Sequence, residues 1–238
     1  MAAARGTVFL DSAAVSWQFP AMPLDIKICG LKTDDALAAA LAGGASHVGF
    51  IFFPKSPRNI TPQEAGRLRQ AVKGKALAVA VTVDADDAFL DEIVKAMAPD
   101  MLQLHGHESP RRVAEIKVRY GLPVIKAFSI SNAADLRATK AYVGIADRFL
   151  FDARPPRGAE LPGGNGVAFD WTALEGFETD YLLSGGLNAS NIGEALHIAN
   201  PPGLDISSGV ESAPGVKDPA LIRAFFQAVR AAQAGNAA

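Results

Sequence analysis

The chain holds a single cysteine, Cys29, among 238 residues. No internal disulfide can form, which suits a reducing compartment, and Cys-rich zinc sites are excluded. The four histidines show no metal-ligand spacing. No basic run is present: 23 Lys and Arg stand against 25 Asp and Glu, for a net charge of −2. Nucleic acid is therefore a poor partner. The longest apolar runs are strand-sized, so no transmembrane helix is expected. Gly/Ser-rich linkers and internal repeats are missing, which leaves one domain as the simplest organisation. Residues 1–23 lack an adequate apolar stretch for a signal peptide. They read as a loosely ordered N-terminal extension, with Met22 as an alternative start. Residues 24–233 then form the folded domain. With 49% apolar and 20% charged residues, that domain can bury a sizeable core.

What is present is alternation. Short runs rich in β-branched and aromatic residues predict strands at Asp25–Cys29, His47–Phe53, Ala76–Val83, Met101–His105, Val124–Phe128, Arg148–Asp152, Tyr181–Ser184 and Leu204–Ser207. Helix signals lie between them. Thr33 caps a helix over Asp34–Ala42. Thr61-Pro62-Gln63-Glu64 combines a capping threonine, proline at the first helical position and glutamate three after the cap. Ser109-Pro110 repeats that pattern, and Asn132 does so more weakly. Asn188–Ile198 and Pro219–Ala232 supply the last two helices, and Asp170-Trp171 opens a short one after strand six. Eight such units, each of roughly 25–30 residues, predict an α/β fold: a single-domain (β/α)8 TIM barrel. A doubly wound open sheet more often uses five or six strands.

A barrel of this kind carries its site at the carboxyl ends of its strands. Those ends hold Cys29 after strand one, Lys55 and Arg58 after strand two, His105 after strand four and Asp152 after strand six. Gly185-Gly186 follows strand seven, where Asn188 is expected to cap a helix whose N–H groups favour an anion. Ser207, Ser208 and Gly209 follow strand eight, completing the usual phosphate cradle of the fold. The loop GGNG, residues 163–166, follows the strand-six carboxylate and could close over a ligand. Each feature has a plainer reading. A buried cysteine commonly behaves as a small apolar group. Asp152 could be ion-paired, Arg58 could be a solvated loop charge, and His105 could hydrogen-bond a neighbouring loop. His47 and His107 have no better claim, and Trp17 and Trp171 read as packing residues.

Seven stretches occur in order: KICG (27–30), GFIFFPKSPR (49–58), QLHG (103–106), FDA (151–153), FDW (169–171), LSGGLN (183–188) and DISSGVE (205–211). Through them the chain resembles the phosphoribosylanthranilate isomerase family of tryptophan biosynthesis, from about Leu24 to the last helix. The resemblance implies an Amadori rearrangement of N-(5-phosphoribosyl)anthranilate to 1-(2-carboxyphenylamino)-1-deoxyribulose 5-phosphate, with no metal and no organic cofactor. It implies Cys29 as general base, Asp152 as general acid and Arg58 as anchor for the anthranilate carboxylate. His105 would position substrate. Gly163, Gly164, Gly185, Gly186, Asp205, Ser207, Ser208 and Gly209 complete the expected binding residues. The implied partner is a small phosphorylated substrate, with neither nucleic acid nor membrane; the chain is expected to be a monomer or homodimer in the cytoplasm.

The residue types suit that chemistry. The furanose oxygen needs a proton as the ring opens, and burial of a carboxyl group favours its protonated form. The resulting iminium acidifies the C2 proton, so a thiolate is a sufficient base. One departure is Asn165, where the family often has a hydroxyl residue. Two rival readings share these features. Related isomerases that also accept an aminoimidazole ribotide typically carry aspartate where Cys29 stands. A non-catalytic phosphate-binding barrel would have lost the acid or the base.

Overall fold

The computed structural model describes residues 24–154 and 168–235, together with 158, 161, 163, 164 and 166. Eight parallel strands close into a barrel in chain order: β1 (Asp25–Cys29), β2 (His47–Phe52), β3 (Leu77–Thr82), β4 (Met101–Leu104), β5 (Val124–Ile130), β6 (Arg148–Ala153), β7 (Tyr181–Leu183) and β8 (Gly203–Ile206). The expected barrel is observed, with strand ends within about two residues of the sequence reading, the usual uncertainty of such boundaries. Pairing of β1 with β8 closes it and sets Lys27 opposite Asp205.

Side chains alternate across each strand. On β1, Ile26 and Ile28 pack outward under the helices, whereas Cys29 joins Val79, Val81, Ile125, Ala127, Leu150 and Leu182 inside the barrel. Lys27 shares the inward face of Cys29. On β6, Phe149 and Phe151 point outward, and Phe151 packs 5.0 Å from Phe177 and 5.1 Å from Tyr181, centroid to centroid. Burial of each such ring contributes about 1.5–3 kcal/mol. These contacts anchor the strand that presents Asp152 inward.

Among the described residues, six α-helices form the outer layer: α1 (Asp34–Gly43), α2 (Pro62–Val72), α3 (Asp87–Met97), α4 (Pro110–Tyr120), α5 (Ile192–Ala199) and α6 (Pro219–Gly235). The Thr61/Glu64 capping box forms as expected, and Thr33 and Ser109 accept from Ala36 and Arg112. Helix α3, capped by Asp86, was not singled out by the sequence reading. Residues 133–142 and Trp171–Leu174 wind as tighter 3-10 segments instead of α-helices. The first buries only Thr139, so no apolar stripe stabilises a full helix there. One expectation is corrected. Helix α5 starts at Ile192, and Asn191, not Asn188, holds the cap position. Asn188 instead accepts from the Ser190 amide at 2.9 Å and hydroxyl at 2.6 Å, a local turn that delays the helix.

After β8 a 3-10 turn, Ser208–Val210, leads into a small hairpin of β9 (Glu211–Ala213) and β10 (Val216–Lys217), which the sequence did not announce. It carries Glu211 and Lys217 to the same end of the barrel as Cys29. Among the described residues, no helix is long and apolar enough to cross a membrane.

Candidate active site

A cleft enclosing about 670 Å³, its open mouth included, lies at the carboxyl ends of the strands. Every residue expected to act on or bind substrate lines it except Gly209, which instead packs against the Leu187 carbonyl; Lys55 and Asn188 do not line it either. Trp171 is a buried packing residue. Asn165, Trp17 and residues 1–23 lie outside the described residues.

Cys29 forms part of the floor and is buried. Burial pushes its thiol above the ordinary cysteine range; Lys27 pulls it back and Asp205 pushes it up again. Lys27 is fully buried, with Nζ 2.7 Å from Asp205 Oδ1. Burial works against its charge, but Asp205 and Cys29 outweigh that penalty and hold the ammonium above its ordinary value. Asp205 was expected to bind substrate. It does line the cleft, but its carboxylate is committed to Lys27, and a carboxylate would repel a phosphate.

Asp152 stands at the end of β6. Its Oδ1 accepts from the Ala153 amide at 2.9 Å, and its Oδ2 lies 3.5 Å from His105 Nε2. The His105 backbone amide donates to Thr82 O at 2.8 Å, which ties the residue to β3. On the imidazole, Nδ1 lies 3.0 Å from the Gln103 side-chain nitrogen. With the Gln103 amide in this orientation, Nδ1 accepts and the Nε2–H faces Asp152. A Cβ added at Gly163 would collide with Asp152 Oδ2 and lie 2.9 Å from His105 Nε2. The glycine loop thus rests directly on the carboxylate.

Arg58 is also held, not loose. Its Nε donates to Glu211 Oε1 at 2.7 Å and its Nη2 to Glu211 Oε2 at 2.9 Å and to Gly164 O at 3.2 Å. Glu211 also accepts from Lys217 Nζ at 2.5 Å. Burial opposes the charge on Glu211, yet Arg58 and Lys217 keep it below the ordinary carboxylate range. Lys217 in turn donates to Ser207 O at 2.9 Å and Oγ at 3.2 Å, which braces the loop after β8. Burial holds its own pKa down.

Gly185 and Gly186 adopt φ of +89° and +65°, the left-handed region that glycine populates freely. A Cβ at Gly185 would also lie 2.6 Å from the Ala153 amide nitrogen, so the β7 loop passes close against the end of β6. Together with Ser207 and Ser208 these residues form a small, amide-rich wall suited to an anion. Among the described residues, no group of three or more His, Cys, Asp or Glu side chains could hold a metal ion.

The sequence reading missed Lys27, Gln103, Glu211 and Lys217. The first two were within reach of it: each stands two residues before a chosen site residue, so it shares that residue's strand face. Glu211 and Lys217 lie in a hairpin too short to leave a period.

Comparison with known proteins places the chain in a family. The family model described as N-(5'phosphoribosyl)anthranilate (PRA) isomerase matches residues 26–228. The N-(5'-phosphoribosyl)anthranilate isomerase of Mesorhizobium japonicum is 74% identical over 219 residues, covering 91% of this chain and 100% of the relative. The crystal structure of phosphoribosyl anthranilate isomerase from Thermotoga maritima superposes with a TM-score of 0.78 at 31% identity, over 87% of this chain and 99% of that one. A crystal structure of the enzyme in complex with reduced 1-(o-carboxyphenylamino)-1-deoxyribulose 5-phosphate gives a TM-score of 0.76 at 29% identity, with the same coverage of both chains. The chain belongs to the N-(5'-phosphoribosyl)anthranilate isomerase family.

Proposed function

We propose that the protein converts N-(5'-phosphoribosyl)anthranilate into 1-(2-carboxyphenylamino)-1-deoxyribulose 5-phosphate, the aldose–ketose isomerisation of tryptophan biosynthesis. The observation that carries this reading is the placement of a thiol and a carboxylate, Cys29 and Asp152, in one cleft walled by an anion-suited loop pair. In this mechanism Asp152 gives a proton to the ring oxygen as the bond from that oxygen to C1 breaks. The anthranilate nitrogen supplies the electron pair, leaving an iminium. The Cys29 thiolate then removes the proton from C2, and the electron pair neutralises the iminium as an enolamine. Tautomerisation moves the enol proton to C1 and yields the ketose. Asp152 ends ionised and Cys29 protonated, and proton exchange resets both. General acid and base catalysis of this kind is worth about 10²–10⁴-fold per group.

The remaining residues bind. Arg58 meets the anthranilate carboxylate, Gly185, Gly186, Ser207 and Ser208 meet the phosphate, and Gly163 and Gly164 close over the acid. His105 orients Asp152. Phosphoribosylanthranilate is fluorescent, so loss of its fluorescence reads turnover directly. Rapid decay with the wild type, and loss of most activity in a folded Asp152→Asn variant, support the reading. No decay with folded wild-type protein overturns it, and an active, folded Asp152→Asn variant overturns the acid assignment.

A further inference from the structure

Beneath the floor of the cleft lies a charged group that the mechanism above leaves unused. Lys27 is fully buried at the inward face of β1, two residues before Cys29. A buried ammonium is costly unless it is paired, and its partner Asp205 accounts for one of its three donors. The register Lys27↔Asp205 across the closing strand pair fixes this arrangement. The other end of the ammonium faces the thiol. A Cβ built at Gly49 would sit 2.9 Å from Cys29 Sγ and 3.1 Å from Lys27 Nζ. The two atoms thus converge on one point beside β2, within the ~4–6 Å over which an opposite charge favours ionisation. Gly49 itself leaves the space between them open.

We propose that Lys27 is a positioning residue for the base: an ammonium, locked from below by Asp205, that supplies the counter-charge for the Cys29 thiolate. The proposal rests on Cys29 being the base. It explains why a lysine stands in a barrel interior that also holds the apolar Val79, Ile125 and Leu150. A thiolate formed on that apolar floor without a neighbouring cation would be strongly disfavoured. The charged groups around the thiol are Lys27 on its own strand, Asp205 on β8 and, further out, Lys217 on β10. Lys217 is engaged by Glu211. His47 on β2 stands opposite Lys27 in register, and burial disfavours its protonated form. Of these cations, Lys27 is the one whose ammonium converges with the thiol beside Gly49.

The two partners should act on the thiol with opposite sign. Cys29 is the sole cysteine, so alkylation by iodoacetamide, followed by mass spectrometry across pH, reports it alone. Asp205→Asn removes a negative charge and frees the ammonium, so the alkylation midpoint should fall. Lys27→Met/Asp205→Asn removes both charges together, which avoids an orphaned buried ion. Its midpoint should rise by about one unit, making alkylation at neutral pH roughly tenfold slower. A lysine that only props the barrel would change the melting temperature without moving the midpoints apart. Unchanged midpoints in folded variants, or shifts of the same sign, overturn the proposal. If the double variant fails to fold, Lys27→Gln decides: a raised midpoint in the folded variant supports the proposal and an unchanged one overturns it. The acid limb of kcat should move with the alkylation midpoint. Alkylation that shifts while the kcat limb stays put would refute Cys29 as the base, yet leave the ion pair's effect on the thiol intact.

Discussion

Replacing Gly49 with alanine puts one methyl group where the thiol and the lysine converge. That methyl would lie 2.9 Å from Cys29 Sγ, 3.1 Å from Lys27 Nζ and 3.2 Å from Cys29 Cα. The Cα cannot retreat, because Cys29 and Gly49 are partners in the β1–β2 register. Lys27 Nζ is tethered to Asp205 at 2.7 Å. The thiol, with one torsion, is the group that must move. Inserting a methyl into a filled core costs about 1–3 kcal/mol, and in a domain this size each kcal/mol lowers the melting temperature by about 2–4 °C. Displacing a reacting atom by about 1 Å can cost about 10²-fold in rate. Gly49→Ala is therefore expected to melt several degrees lower and to lose about 10²-fold in kcat by the fluorescence assay. KM should change much less, because Arg58 and the loops after β7 and β8 are untouched. A variant with wild-type kcat and melting temperature would show that Cys29 and Lys27 do not meet at that point, and would remove the geometric basis for their coupling.

The raised pKa of Cys29 gives a pH dependence. The base must be ionised to act, so kcat/KM should climb with pH through neutrality and beyond the ordinary cysteine value; a plateau already reached at pH 6 would contradict it. Cys29→Ser should lower kcat far more than it weakens binding, and equal turnover would exclude the thiol as base. Arg58→Ala should chiefly raise KM, leaving Glu211 still paired with Lys217; an unchanged KM would exclude Arg58 as the carboxylate anchor. Burial holds His47 below the usual histidine value. The unfolded chain therefore takes up a proton that the folded chain refuses as pH falls through about 6.5, and stability drops in that window. His47→Gln should flatten urea stability between pH 5.5 and 7.5, and an unaltered slope would assign that loss to other groups.

Much of this was legible because local signals carry it. Short runs rich in β-branched and aromatic residues marked all eight strands, and the capping signals at Thr33, Thr61 and Ser109 marked three helix starts to the residue. Barrel topology then converted scattered strand ends into one cleft without any contact being known. The failures are equally physical. Asn188 and Asn191 are both acceptable caps in isolation, and the hydrogen bonds of Asn188 to Ser190 decided between them. The hairpin of Glu211–Ala213 and Val216–Lys217 is too short to show a pattern, and it forms where its charges find partners in the cleft.

The pairings themselves could not be read from local sequence, since Lys27 meets Asp205 178 positions away and Arg58 meets Glu211 153 away. Both pairs follow one rule. The carboxylates of Asp205 and Glu211 lie in or beside a cleft meant for an anionic substrate, where they would repel it if left bare. Each is instead bonded to a cation, so the negative charge is largely neutralised while the cation is fixed in place. An arginine held by two bonds to Glu211 has already lost its rotamer freedom before ligand arrives, which reduces the ordering cost of binding. A lysine held by Asp205 is likewise already aimed at the thiol when the thiolate forms. On this view the acidic residues of the site orient its basic ones. Asp205→Asn and Glu211→Gln should then be felt through Cys29 and Arg58 respectively, the first in kcat and the second in KM.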